Sequence, residues 1–186
     1  MLFYKKQMTI TYKIEQDDLL EFQLYVASKS PVLHKKRKNN KTLLIGLSAV
    51  FAGYFYSSKD LIMGSYFLVV ILLLIFLYNK YFAWRQKRNY NRFIKVNYAD
   101  RFGMQEHLEV YATKIHVKDN FGEGDVKASE LKSIVEINSH FFINLKSGSS
   151  VIVPKAQVVS SELKSGLKSL KVPFEEEMNW NWKSAI

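Results

Sequence analysis

From residue 42 to residue 56 no side chain is charged, and after Ser57, Ser58, Lys59 and Asp60 a second uncharged run continues from residue 61 to residue 78. As a helix, the second run of 18 residues extends about 27 Å, close to the ~30 Å hydrocarbon core of a bilayer. The first, 15 residues long, reaches only about 22 Å. It needs helical extension through residues 39–41 and Ser57-Ser58, with Lys41 snorkelling outward. Between Leu61 and Leu77 apolar side chains point in every direction of a helical wheel, leaving none of the polar stripe that a surface helix of a soluble protein carries. The pattern predicts a two-helix transmembrane hairpin that turns at residues 57–60.

Ahead of this anchor, Ile10, Tyr12 and Ile14 alternate with Thr9, Thr11 and Lys13, the period of a short half-buried strand. Asp17 and Asp18 open a helix, with Asp18 and Glu21 spaced as a capping box, and the helix ends near Ser30-Pro31. A lone strand is not stable, so this one must pair with sheet from elsewhere in the chain. Beyond Gly103 the period shortens to two again. Short strands are expected around Leu108 and Val110, Ile115 and Val117, Val126, Ile134 to Ile137, Phe141 to Leu145, and Val151 and Val153. Turns fall at residues 119–124 and 147–149, and Leu163, Leu167 and Leu170 share one face of a helix from about residue 160 to 171. Six short strands and one helix in so few residues close a core only if the sheet curls and the helix plugs it. The expected fold is therefore α+β: the membrane hairpin plus a small β-barrel-like domain capped by its C-terminal helix. The segments expected are 1–41, a strand, a helix and a basic run; 42–78, the hairpin; 79–98, a basic helical stalk; 99–174, the β domain; and 175–186, an acidic tail with Trp180 and Trp182.

Charge sharpens this picture. The chain carries a net +10, unevenly spread: residues 1–41 hold 9 basic and 4 acidic side chains, 79–98 hold 6 basic and none acidic, and 99–186 hold 11 and 12. Basic residues thus bracket the apolar centre, which places both flanks and both termini on the cytoplasmic side. Lys35, Lys36, Arg37, Lys38 and Lys41 before the first run, and Lys80, Trp84, Arg85, Lys87 and Arg88 after the second, are the expected contacts with lipid headgroups. Because the β domain itself is near neutral, the expected partner is an anionic membrane and not nucleic acid. Gly46, Ala49 and Gly53 form a small-residue stripe on the first helix, where the second helix is expected to nest in preference to another copy of the chain.

The segments Glu106-His107-Leu108-Glu109-Val110, residues 126–134 and Val151-Ile152-Val153-Pro154-Lys155 resemble the YcxB-like family of bacterial membrane proteins. That resemblance implies a pleckstrin-homology-like cytoplasmic module tethered to the bacterial inner membrane. It implies no chemistry.

The residues point the same way. With no cysteine, disulfides, thiolate catalysis and cysteine metal sites are excluded. His107 with Glu106, Glu109 and His116 is the one conceivable metal cluster, yet neighbours in a strand face opposite ways. No phosphate loop or nucleophile motif occurs, and the membrane runs hold no ionisable group that could couple ions. No catalytic residue, metal or cofactor is expected. The function expected is that of a non-enzymatic interaction or regulatory module with a protein partner, another chain or a second copy. The alternatives are an immunity factor against a membrane-acting toxin and a membrane-tethered hydrolase.

Overall fold

The structure is a computed structural model that describes residues 6–120 and 122–185; Phe121, inside the turn expected at 119–124, lies outside the described residues. The chain divides into two compact units, one of Met1–Phe22 with Asn91–Trp180 and one of Gln23–Tyr90 with Asn181–Ile186.

In the first unit, β1 (Lys6–Lys13) pairs antiparallel with β2 (Gln105–Tyr111), which answers the requirement that the N-terminal strand find a distant partner. β3 (Lys114–Lys118) and β4 (Glu123–Lys127) complete a four-stranded sheet in sequence order. The second sheet holds β5 (Leu131–Ile137), β6 (His140–Leu145), β7 (Ser150–Pro154) and β8 (Phe174–Glu177), in the order β7-β6-β5-β8. Both sheets are open, so the expected barrel is not formed: the strands divide between two sheets with free edges in place of one that curls shut. The second departure is β8. Residues 175–177 read as a tail because three successive glutamates make a poor strand, yet they lie parallel to β5, with Ile134 opposite Phe174 and Glu136 opposite Glu176.

The core is apolar, with Leu108, Val110, Ile115, Ile134, Phe141, Ile143 and Val153 fully enclosed. Helix α4 (Ser160–Ser169) buries Leu163, Gly166 and Leu167, packs against β1 and β2, and sets Gly166 beside Val110. Gly103 and Gly148 occupy turns at φ +72 and +93, a region that costs other residues a steric clash. α1 (Gln16–Ser28) begins one turn earlier than its expected cap. Asp18 sits at its third position and accepts a hydrogen bond from the Glu15 amide at 2.8 Å, so Glu15 and Asp18 take the role expected of Asp18 and Glu21.

In the second unit, Ser30 caps α2 (Pro31–Ser57), accepting from the Leu33 amide, and Pro31 fills the first turn, where its missing N–H costs nothing. The basic run 35–41 is therefore the opening of α2 itself. Residues 58–60 lead into α3 (Leu61–Asn97), which Asp60 caps through the Met63 amide at 3.1 Å. The second apolar run and the basic segment after it form one unbroken helix. Among the described residues α3 is the one helix long and apolar enough to cross a membrane, and its most apolar stretch is only 6% buried.

Candidate membrane-surface site

Where α2 and α3 touch, each presents residues spaced alternately three and four apart. On α2 these are Lys41, Ile45, Ser48, Ala52 and Phe55; on α3 they are Gly64, Phe67, Ile71, Leu74, Tyr78 and Phe82. That spacing is the seam of two helices packed at a shallow angle. Phe67 stacks between Phe51 and Phe55 at 5.3 and 5.8 Å, and Tyr56 meets Ser65 at 3.2 Å. The nesting expected at Gly46, Ala49 and Gly53 does not occur. All three are exposed, and a Cβ added to Gly46 or Gly53 would meet nothing within 4 Å. The buried line of α2 runs one step round the helix instead, through Ser48 and Ala52. Lys41 is corrected as well. It does not reach outward; its ammonium donates across the seam to the Ile75 carbonyl at 2.9 Å.

The remaining expected headgroup contacts gather at the end of the apolar stretch. Lys36 and Arg85 come together on a groove of about 520 Å³ between α2 and α3, floored by Leu43, Leu44, Tyr78 and Phe82. Lys80, Trp84 and Lys87 line a second cleft of about 490 Å³. Lys35, Lys38 and Arg88 are exposed and Arg37 half-buried, with the Arg88 guanidinium 5.5 Å from the Trp84 ring. The second cleft holds the part of the site that sequence reasoning left open: Trp182, opening the short α5 (Trp182–Ala185), is buried and donates its indole N–H to the Ala83 carbonyl at 3.1 Å. Its one signal in the sequence was a tryptophan beyond an acidic run, which names no partner.

The first unit carries several polar clusters. His140, 4% exposed, bridges α1 to the second sheet: its Nε2 lies 2.8 Å from Asp18 Oδ1 and its Nδ1 2.9 Å from Ser139 Oγ, while Ser139 donates to Glu21 at 2.7 Å. Glu136, also 4% exposed, receives Lys155 at 2.6 Å and Lys164 at 2.7 Å, and Glu176 joins Lys164 to Lys168 at 2.9 Å each. Burial pushes the Glu136 carboxyl up, but the two ammonium groups outweigh it and hold it below the usual range. Opposite Tyr12, burial raises the Glu106 carboxyl, with the Tyr12 hydroxyl offsetting part of the rise. Tyr12 is itself pushed well up, by burial first and the Glu106 charge second. Of the residues in the one conceivable metal cluster, His107 bonds Thr11 and His116 bonds Asp125. Among the described residues no group of three or more metal-binding side chains converges.

These features define an α+β chain with two open sheets, one antiparallel and one mixed, and a helix apolar enough to cross a bilayer. Residues 110–170, from the end of β2 through α4, match the family described as YcxB-like protein. The match bears out the resemblance over about a third of the chain and lies within the first unit. No curated protein and no solved structure matches the chain.

Proposed function

We propose that this protein is a non-enzymatic interaction module held at the cytoplasmic face of the bacterial inner membrane by a two-pass anchor, α2 and α3, with both termini in the cytoplasm. The observation that carries the reading is the outer surface of α3, where Ile62, Leu68, Val69, Leu72, Leu73, Phe76 and Leu77 stand exposed. An apolar surface of that extent in water would be an association or aggregation site, whereas in lipid it is at rest. α2 offers Leu43, Leu47, Val50, Phe51 and Tyr54 in the same way, which supports a second crossing despite its shorter run. The basic residues at the outer ends of both helices supply the cytoplasmic orientation.

The first unit would then act by shape. Its strands followed by α4 keep the element order of a pleckstrin-homology-like layout with its sheets open, and its buried polar clusters tie α1 to the second sheet and α4 to β5. Two measurements test the anchor. Carbonate washing should leave the chain in the vesicle pellet, and reporters fused at Lys59 should read outside while those at either end read inside. Release by carbonate, or a reporter at Lys59 reading inside, overturns it.

A further inference from the structure

Within the second unit, Lys80, Ala83, Trp84 and Lys87 repeat at three- and four-residue steps and so share one face of α3. Against that face sits Trp182, 7% exposed, with Lys183 beside it. The cleft between them, about 490 Å³, is in the size range of small-molecule sites. Its chemistry is divided. Two indoles and Ala83 make an apolar wall, three ammonium groups make a cationic rim, and among the described residues no carboxylate lines it. None of the three ammonium groups has an ion pair or hydrogen-bond partner among the described residues, so they repel one another until an anion arrives.

We propose that this cleft binds one anionic phospholipid, its phosphate held by Lys80, Lys87 and Lys183 and its glycerol and upper acyl carbons against Trp84 and Trp182. Position selects a lipid over a soluble anion. On the two-pass reading, on which this proposal rests, Lys80 and Trp84 lie about 3 and 9 Å along the axis beyond Tyr78, the depth of the headgroup layer. There a tryptophan prefers to sit with its ring toward the chains and its polar edge toward water. Trp182 comes from the far end of the sequence, and its bond to Ala83 makes the site a built one on α3 that a bare basic helix would lack.

The test uses the full chain, delipidated in detergent and examined by native mass spectrometry with phosphatidylglycerol, phosphatidylcholine or inorganic phosphate added. One phosphatidylglycerol per chain should persist at concentrations where phosphatidylcholine leaves none. K80Q and K183Q should each cut that preference about fivefold, from the worth of a lysine near an anionic surface, while K95Q on the same helix leaves it unchanged. Equal retention of the two lipids, or a K95Q effect as large as that of K183Q, overturns the site in favour of diffuse charge. Phosphate displacing phosphatidylglycerol overturns the lipid in favour of a small anion. Carbonate washing of the same preparation in vesicles separates the two readings: a chain that stays in the pellet without lipid preference sinks this site alone, and one that washes off sinks the anchor.

Discussion

Replacing Glu136 by alanine should loosen the second sheet more than its single glutamate would suggest. The carboxylate is 4% exposed and answers two lysines, but the two would be stranded unequally. Lys164 keeps Glu176 at 2.9 Å, whereas Lys155, whose side chain is 12% exposed, is left with the Met178 sulfur at 3.7 Å and the Phe141 ring at 4.8 Å. Removing one partner of a buried pair costs ~3–5 kcal/mol, and the ring face left to Lys155 puts this case at the lower end, about 3 kcal/mol. Hydrogen exchange of the β5 and β6 amides in the full chain reads that loss directly, as a rise of about a hundredfold for amides that open only with the sheet. E136L with K155M should come close to the original rate, since apolar residues of similar size replace a buried pair without penalty. Acidity gives a second handle. The folded carboxyl lies below its ordinary value, so the pair's contribution is complete above the ordinary carboxyl pKa and fades as pH falls through the folded one. Protection, the intrinsic exchange rate at the same pH divided by the observed one, should therefore fall in acid in the original protein and fall less in E136A. A rise of under about threefold, the size expected of an exposed pair, would refute the reasoning.

Glu106 carries the opposite sign. Burial raises its pKa, so the stability of its protonated form is present in acid and lost as pH rises through the folded value; E106Q should slow exchange in β2 at neutral pH, with the gap closing in acid. His140→Ala leaves Asp18, 15% exposed, without its imidazole partner, and should cost about 2 kcal/mol, read as faster exchange at the start of α1 and in β6. Gly53→Leu meets open space and should leave thermal unfolding in detergent unchanged, while Ala52→Leu, buried against α3, should lower the midpoint by overpacking worth ~1–3 kcal/mol. Equal effects of the two substitutions would put the seam on the wrong face.

The strands and helices were legible wherever burial alternates with the element's own period. β2, β3 and β6 each enclose residues such as Leu108, Ile115 and Phe141 that no polar residue could replace, and Leu163 and Leu167 marked α4 by the same logic. Closure was not legible, because pairing partners are a property of the whole sheet: nothing in Glu175, Glu176 or Glu177 foretells a parallel register with β5, which depends on Lys164 and Lys168 neutralising Glu176 from α4. The polar clusters were hidden for a related reason. Asp18 and Glu21 fit a helix cap so well that their second partner, a histidine at the head of an apolar strand, had no separate signal, and Glu136 stood among apolar residues with no sign of the lysines that meet it. In the site, the charges at 35–41 and 80–88 were readable as a belt, but the choice of seam was not. Gly46, Ala49 and Gly53 on one side and Ile45, Ser48, Ala52 and Phe55 on the other offer rival stripes, and nothing within α2 alone chooses between them.

The Lys41 bond bears on how the proposed anchor fits its bilayer. A charge bound to the Ile75 carbonyl draws the cytoplasmic limit of the apolar layer back to residue 75 on the face of α3 that meets α2, three residues before the run ends at Tyr78. Residues 61–75 then match residues 42–56 in length, each about 22 Å as a helix. Two equal short spans suit one another, and both fall short of a ~30 Å hydrocarbon core, a mismatch met by local thinning and snorkelling at modest cost per ångström. Spin labels introduced separately at Thr42 and Phe76, both exposed, should therefore show equal accessibility to a water-soluble relaxant in reconstituted vesicles. In K41M the Phe76 label should sink relative to the Thr42 label, since nothing polar then holds Ile75 at the boundary. A Phe76 label that already lies deeper than Thr42 in the original chain would mean the lysine is buried within the apolar layer, and the equal-span argument fails.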